Sequence, residues 1–149
     1  MTKKILFICL GNICRSPTAE GVFRGLAAQV GADVMVDSAG TSGWHNGQLP
    51  DGRSLAEAAR RGYDLSGQRS RKLVLADFEA FDLIIGMDHK NMADLRLMAP
   101  VGCRAEIKLF LDYAPGQGIR EVPDPYYEDD FDGVFDLIEQ ASRGLLDSL

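Results

Sequence analysis

The sequence predicts an α/β three-layer sandwich: a parallel sheet with helices on both faces, in a single domain spanning residues 1–149. Three observations lead there. Ile5-Leu6-Phe7-Ile8 is a continuous apolar run bounded by lysines and Gly11, as in a strand buried on both faces. Short apolar runs of this kind alternate along the chain with helical patterns, the arrangement that produces parallel sheets with crossover helices. Finally, Asp132 to Leu149 places Val134, Phe135, Ile138, Ala141, Leu145 and Leu146 at the spacing of one inward helix face.

Taken in order, the first strand is followed by a loop and then Ser16-Pro17, a favourable N-cap and first helical residue. Ala19, Val22, Phe23, Leu26, Ala27 and Val30 share one side of that helix, and Gly31 closes it. Val34-Met35-Val36 forms a second strand, ended by Ser38-Ala39-Gly40. A helix follows from Asp51 to Arg61, stopped by Gly62, then a third strand at Leu83 to Met87. His89 to Met98 is helical, ending before Pro100, and Ala105 to Leu109 is a weaker fourth strand. Two loops, Gly40 to Gly52 and Tyr113 to Asp130, are rich in Gly, Pro and polar residues. Loops at the carboxyl ends of such strands carry the ligand site.

The formal net charge of −6 argues against nucleic acid or a membrane surface as partner, since both are polyanionic. It leaves room for a small basic pocket. The three cysteines, Cys9, Cys14 and Cys103, are odd in number and do not form a secreted disulfide framework. No Cys/His spacing suggests zinc, and His45 and His89 are expected on the surface. The apolar start is at the short limit for a signal peptide and lacks a clean cleavage site. A reducing, cytoplasmic setting is expected, with no membrane insertion.

The segment with most chemical content is Cys9-Leu10-Gly11-Asn12-Ile13-Cys14-Arg15-Ser16, set between strand and helix. Such a turn aims successive backbone N–H groups into one concavity, to which the helix adds its positive end. Leu10, Gly11, Asn12, Ile13, Cys14 and Ser16 are therefore candidate phosphate-binding positions. Gly11 and Asn12 tolerate the unusual backbone angles required. Cys9 lies in the same field, and N–H donors, a helix terminus and a nearby Arg all stabilise the thiolate, which is the nucleophile. Arg15 can fork onto two phosphate oxygens and stabilise charge on a transferring phosphoryl group. The Ser16 hydroxyl can assist departure of the Cys9 sulfur.

A cysteine nucleophile leaves an alkoxide or phenolate to be protonated. Asp124, between two prolines in Val122-Pro123-Asp124-Pro125-Tyr126-Tyr127, is the candidate acid and then base. The competing explanation is a plain acidic turn. Trp44, Tyr126 and Tyr127 are candidate flat walls for an aromatic substrate, with ordinary packing as the alternative for Trp44.

These residues resemble the low-molecular-weight protein tyrosine phosphatases over essentially the whole chain. The matching segments are Cys9 to Pro17, Asp37 to Trp44, Met87-Asp88 with Asn91, and Asp124 to Tyr127. The resemblance implies a flavodoxin-like, four-stranded parallel sheet and a two-step mechanism through phosphocysteine, without metal or other cofactor. It implies Cys9 as nucleophile, Arg15 as phosphate binder and Asp124 as acid/base. It also implies that Asn12 and Ser38 support the loop, that Trp44 and Tyr126 wall the pocket, and that Cys14 can pair reversibly with Cys9 on oxidation. The implied partner is a phosphotyrosine-containing protein, a tyrosine kinase, an exopolysaccharide assembly protein or a host protein among the candidates, met by a monomer. Many members carry His where Gln68 stands, near Arg71, pairing with the acid at Asp88; Gln68 cannot ionise, so that pairing is expected to weaken. Two rival activities share the loop. A thioredoxin-coupled arsenate reductase needs additional cysteines, and none lies between Met87 and Met98. Protein-arginine phosphatases carry Thr where this chain has Ile13.

Overall fold

The computed structural model describes residues 1–149 except the side chains of Tyr127 and Glu128, so the expectation for Tyr127 lies outside the described residues. Strand β1 (Lys3–Cys9) sits inside a four-stranded sheet of order β2-β1-β3-β4, with β2 (Val34–Gly40), β3 (Leu83–Gly86) and β4 (Glu106–Leu109) all parallel. The apolar run of β1 is buried because its side chains alternate between two cores. Ile5, Phe7 and Cys9 pack on one face with α1 (Arg15–Gln29) and α6 (Phe131–Asp147). Leu6 and Ile8 pack on the other with Phe78 of α3 (Asp77–Ala80) and with Met92 and Leu95 of α4 (His89–Met98). This is the flavodoxin-like three-layer arrangement. No helix among the described residues is long and apolar enough to cross a membrane.

Local chemistry sets the element ends. Gly31 takes a positive φ of 68° after α1, as a helix stop requires. Asp51 caps α2 (Gly52–Arg60), accepting from the Arg53 N–H at 2.9 Å. Asp88 and Asn91 form a reciprocal capping box at the start of α4.

The structure corrects several expectations. α1 begins at Arg15, so Ser16 is a fully buried helical residue and its hydroxyl is directed to the loop instead of capping. Val30 falls beyond the last buried turn and is exposed. Strand β2 runs on to Gly40 because its Ser38-Ala39-Gly40 end pairs with Phe7-Ile8-Cys9. Three short elements went unforeseen: α3, a 3₁₀ turn (Phe110–Tyr113) and α5 (Pro125–Glu128) inside the anticipated second loop. Each is four residues long, too short to show a helical period, and Phe78 and Phe110 hold the first two by burial.

Candidate active site

The candidate side chains gather at or beyond the carboxyl ends of β1, β2 and β3. The loop leaving β1 bends back through Asn12, whose φ of 56° lies in the left-handed region that Asn tolerates. That bend points the Asn12 backbone N–H at the Cys9 Sγ, 3.3 Å away. Ser16 Oγ is 3.0 Å from the same sulfur.

The Asn12 side chain makes the loop rigid. Its Nδ2 donates to Ser16 Oγ (2.8 Å) and Ser38 Oγ (3.0 Å), while its Oδ1 accepts from the Arg71 N–H (3.0 Å). With both amide hydrogens spent on hydroxyl oxygens, the Ser16 hydrogen is left to point at Cys9. Ser38 in turn donates to the buried Glu20 carboxylate at 2.7 Å. Burial raises the Glu20 pKa, against the opposing bonds from Ser38 and Arg24. The outer side is tied by Ser70 Oγ, which donates to the Gly11 carbonyl (3.0 Å), and by the Asp51 N–H to the Ile13 carbonyl (2.7 Å).

Arg15, only 3% exposed, reaches across the sheet end. Its Nη1 donates to Asp88 Oδ2 (2.6 Å) and to the Val122 carbonyl (3.0 Å), and its Nη2 lies 3.6 Å from Asp124 Oδ2. Burial works against its charge, but Cys9, Asp88 and Asp124 outweigh it and raise the guanidinium's pKa. Asp124 N-caps α5, accepting from the Tyr126 N–H at 3.0 Å. The Val122 N–H, donating to the Met87 carbonyl at 2.8 Å, moors this segment to the end of β3.

One cleft is lined by Cys9, Leu10, Gly11, Ile13, Cys14 and Arg15 together with Trp44, His45, Asp124 and Tyr126. Sequence elements from both ends of the chain thus meet in one place. Trp44 is 75% exposed at the rim, which disposes of the packing alternative. Asn12 and Ser16 do not line the cleft; their side chains brace it from beneath. Cys14 is buried, and burial first, then Asp51 and Cys9, push its thiol up to about 12.

One further correction and one addition arise here. Gln68 donates to the Pro17 carbonyl at 3.0 Å and lies with Glu20 and Arg24 behind the loop, while Asp88 is engaged by Arg15 and by its own helix cap. The pairing expected at Asp88 is therefore an Arg15 contact. His45 is at the surface as expected, partly exposed, and it is also a wall of the cleft: its Nδ1 is 3.0 Å from Gln48 Oε1 and its ring is 6.5 Å from that of Tyr126. Its place beside Trp44 was the available signal. Among the described residues, no group of three or more His, Cys, Asp or Glu is arranged to hold a metal ion.

Comparison with known proteins places the chain in a family. The family model described as low molecular weight phosphotyrosine protein phosphatase matches residues 4–149. The low molecular weight protein-tyrosine-phosphatase YfkJ of Bacillus subtilis is 42% identical over 147 residues, covering 97% of this chain and 94% of that one. The YfkJ crystal structure matches with a TM-score of 0.95 at 41% identity, covering 99% of this chain and 94% of that chain. A Drosophila arginine phosphatase structure matches with a TM-score of 0.92 at 29% identity, covering 97% and 96%. With a family model matching nearly its whole length and a relative above 40% identity, the chain belongs to the low molecular weight phosphotyrosine protein phosphatase family.

Proposed function

We propose that this protein is a protein tyrosine phosphatase that hydrolyses phosphotyrosine and small aryl phosphates through a phosphocysteine. The observation that carries the reading is the convergence of Cys9, Arg15 and Asp124 in one cleft edged by Trp44 and Tyr126. The Cys9 thiolate attacks phosphorus and the P–O bond to the leaving group breaks, with the acid form of Asp124 giving its proton to the departing phenolate. Arg15 and the loop N–H groups hold the phosphoryl oxygens as charge shifts across them. The Asp124 carboxylate then takes a proton from water, whose oxygen attacks phosphorus. The S–P bond breaks, the thiolate returns under the Ser16 hydroxyl, and inorganic phosphate leaves. The protein substrate is a phosphotyrosine-bearing partner, a tyrosine kinase among the candidates, met by a cytoplasmic monomer.

The test compares wild type with Cys9→Ser on phosphotyrosine, phosphoserine and phosphoarginine peptides. Turnover is expected on phosphotyrosine and its loss in the variant; Cys9→Ser that still hydrolyses p-nitrophenyl phosphate would remove the mechanism. The likeness to an arginine phosphatase makes phosphoarginine the second reading. Against it stands Ile13, whose apolar branch lines the cleft and packs with Cys14 and Phe131 without offering a hydroxyl. Comparable turnover of both peptides would reverse that preference. Arsenate reduction is disfavoured by the third cysteine: Cys103 precedes β4 at the amino edge of the sheet and packs on the face opposite Cys9.

A further inference from the structure

We propose that Arg53 is a positioning residue that holds the Asp124 segment over the phosphate loop, a role that rests on the acid function of Asp124. Arg53 stands in the first turn of α2, and its guanidinium is fixed at one end by Asp51: Nε donates to Oδ1 (3.1 Å) and Nη2 to Oδ2 (3.2 Å). Asp51 is itself bolted to the loop by its N–H bond to the Ile13 carbonyl at 2.7 Å. The head group is therefore placed relative to Cys9 and not merely to solvent.

The other end of the guanidinium grips the far side of the acid segment. Nη1 donates to Asp129 Oδ1 at 3.1 Å, and Asp129 is the left-handed residue that terminates α5. The same cation lies 4.7 Å from the ring centroid of Phe131 and 5.7 Å from that of Tyr126. Phe131 continues the contact inward, packing with Ile13 and Cys14. Asp124 thus sits on a segment moored at one end by Val122 to Met87 and at the other by Arg53.

The Arg53–Asp129 pair is solvent-exposed, so its charge attraction alone holds little. The hold comes from a planar fork that serves Asp51 and Asp129 at once while stacking near two rings. Lysine cannot reproduce that geometry. Proton delivery to a leaving oxygen depends steeply on placement, so loosening the segment weakens acid catalysis before it weakens phosphate binding.

The experiment measures kcat/KM for aryl phosphates whose leaving phenols range from p-nitrophenol to phenol. It uses wild type, Arg53→Met, Asp124→Asn and the double variant. Arg53→Met should cost about fivefold on phenyl phosphate and under about twofold on p-nitrophenyl phosphate, whose leaving group needs little proton help. On the Asp124→Asn background the same change should cost under about twofold on either ester, because Arg53 acts through Asp124. Arg53→Lys should recover less than half of the loss, and Asp129→Asn should reproduce the Arg53→Met pattern should that variant fold poorly. A uniform loss across leaving groups, an equal loss without Asp124, or full recovery with Lys would each overturn the positioning role while leaving the phosphatase reading intact. An Asp124→Asn series with no leaving-group dependence would instead bring down the acid assignment and this role with it.

Discussion

Replacing Ser16 by Ala should slow the second chemical step more than the first. The Ser16 hydroxyl is fully buried, 3.0 Å from the Cys9 sulfur, and accepts the Asn12 amide at 2.8 Å, which leaves its hydrogen for the sulfur. A hydrogen bond to a charged partner contributes about 1.5–3 kcal/mol. When phosphocysteine breaks down, the sulfur leaves as thiolate, and a loose transition state puts at least about half of that charge on it. The loss is then at least about 0.75–1.5 kcal/mol, or about 4- to 12-fold in the breakdown rate. Formation of phosphocysteine is spared, because there the sulfur gives up charge. Stopped-flow hydrolysis of p-nitrophenyl phosphate should therefore show a larger burst with a slower steady state. The Asn12 amide hydrogen left without Ser16 costs a further ~1 kcal/mol of stability, a fall in Tm of about 2–4 °C. A burst and steady state slowed in equal proportion, or a Tm loss with unchanged breakdown, would refute the assignment of the Ser16 hydrogen to the sulfur.

Other expectations follow from the same geometry. The Cys14 thiol, pushed up to about 12, stays protonated through neutral pH, so iodoacetamide at pH 7 should label Cys9 far ahead of Cys14 by peptide mapping. Comparable labelling would contradict its burial. Mild peroxide should oxidise Cys9 to the sulfenic acid, with which Cys14 condenses to a disulfide, reversible by dithiothreitol; mass spectrometry showing only overoxidised Cys9 would exclude that protection. Burial raises the Glu20 carboxyl above 4.5, so its contribution to stability is complete below that value and fades as pH rises through the native one. Glu20→Gln should therefore flatten the decline of Tm from about pH 4.5 towards neutrality, and an unchanged slope would show that Glu20 does not titrate there. A Cβ at Gly40 would stand 2.7 Å from the Leu10 carbonyl oxygen and 3.2 Å from the Gly11 carbonyl carbon. Gly40→Ala should thus cost about 1–3 kcal/mol and raise KM for aryl phosphates; a lower Tm with unchanged KM would show that the loop does not yield.

How much of this was legible in the sequence depends on how far each signal reaches along the chain. The buried run of β1, the Gly31 stop and the apolar stripe of α6 are local patterns, and they predicted their elements well. The Cys9-to-Arg15 loop stood out because one short stretch offers a candidate nucleophile, a forked cation and a bend, and the bend is present at Asn12. Ser16 misled because Ser-Pro is a good cap in isolation, whereas here the buried amide of Asn12 has a stronger claim on that hydroxyl. Gln68 was misplaced and the place of His45 in the cleft was missed for a related reason. Their partners, Pro17 and the rim at Gly11 and Tyr126, are distant in sequence or contributed by another loop. Periodicity carries no information about such meetings.

Sheet topology explains why those meetings occur where they do. From β1 the chain crosses through α1 to β2 on one side, then returns by way of α2 and α3 to β3 on the other. That reversal leaves a crevice at the carboxyl end of β1, the place where open α/β sheets bind ligands. The loop filling it is consequently gripped from both flanks: Ser38 at the end of β2 holds Asn12, and Asp88 beyond β3 holds Arg15. The two grips differ in kind. The Ser38 side is a chain of neutral donors ending in one buried carboxylate, which fixes the direction of every hydrogen. The Asp88 side is ionic and shares its cation with Val122 and Asp124. Arg15 therefore touches both the loop after β1 and the segment that carries Asp124, so in the proposed mechanism a phosphate drawn onto its fork is placed beside Asp124 by the same side chain. The long detour of the chain between Cys9 and Asp124 is what allows β3 to lie beside β1 and to moor the Asp124 segment there, and no local stretch of this sequence could bring those two groups together.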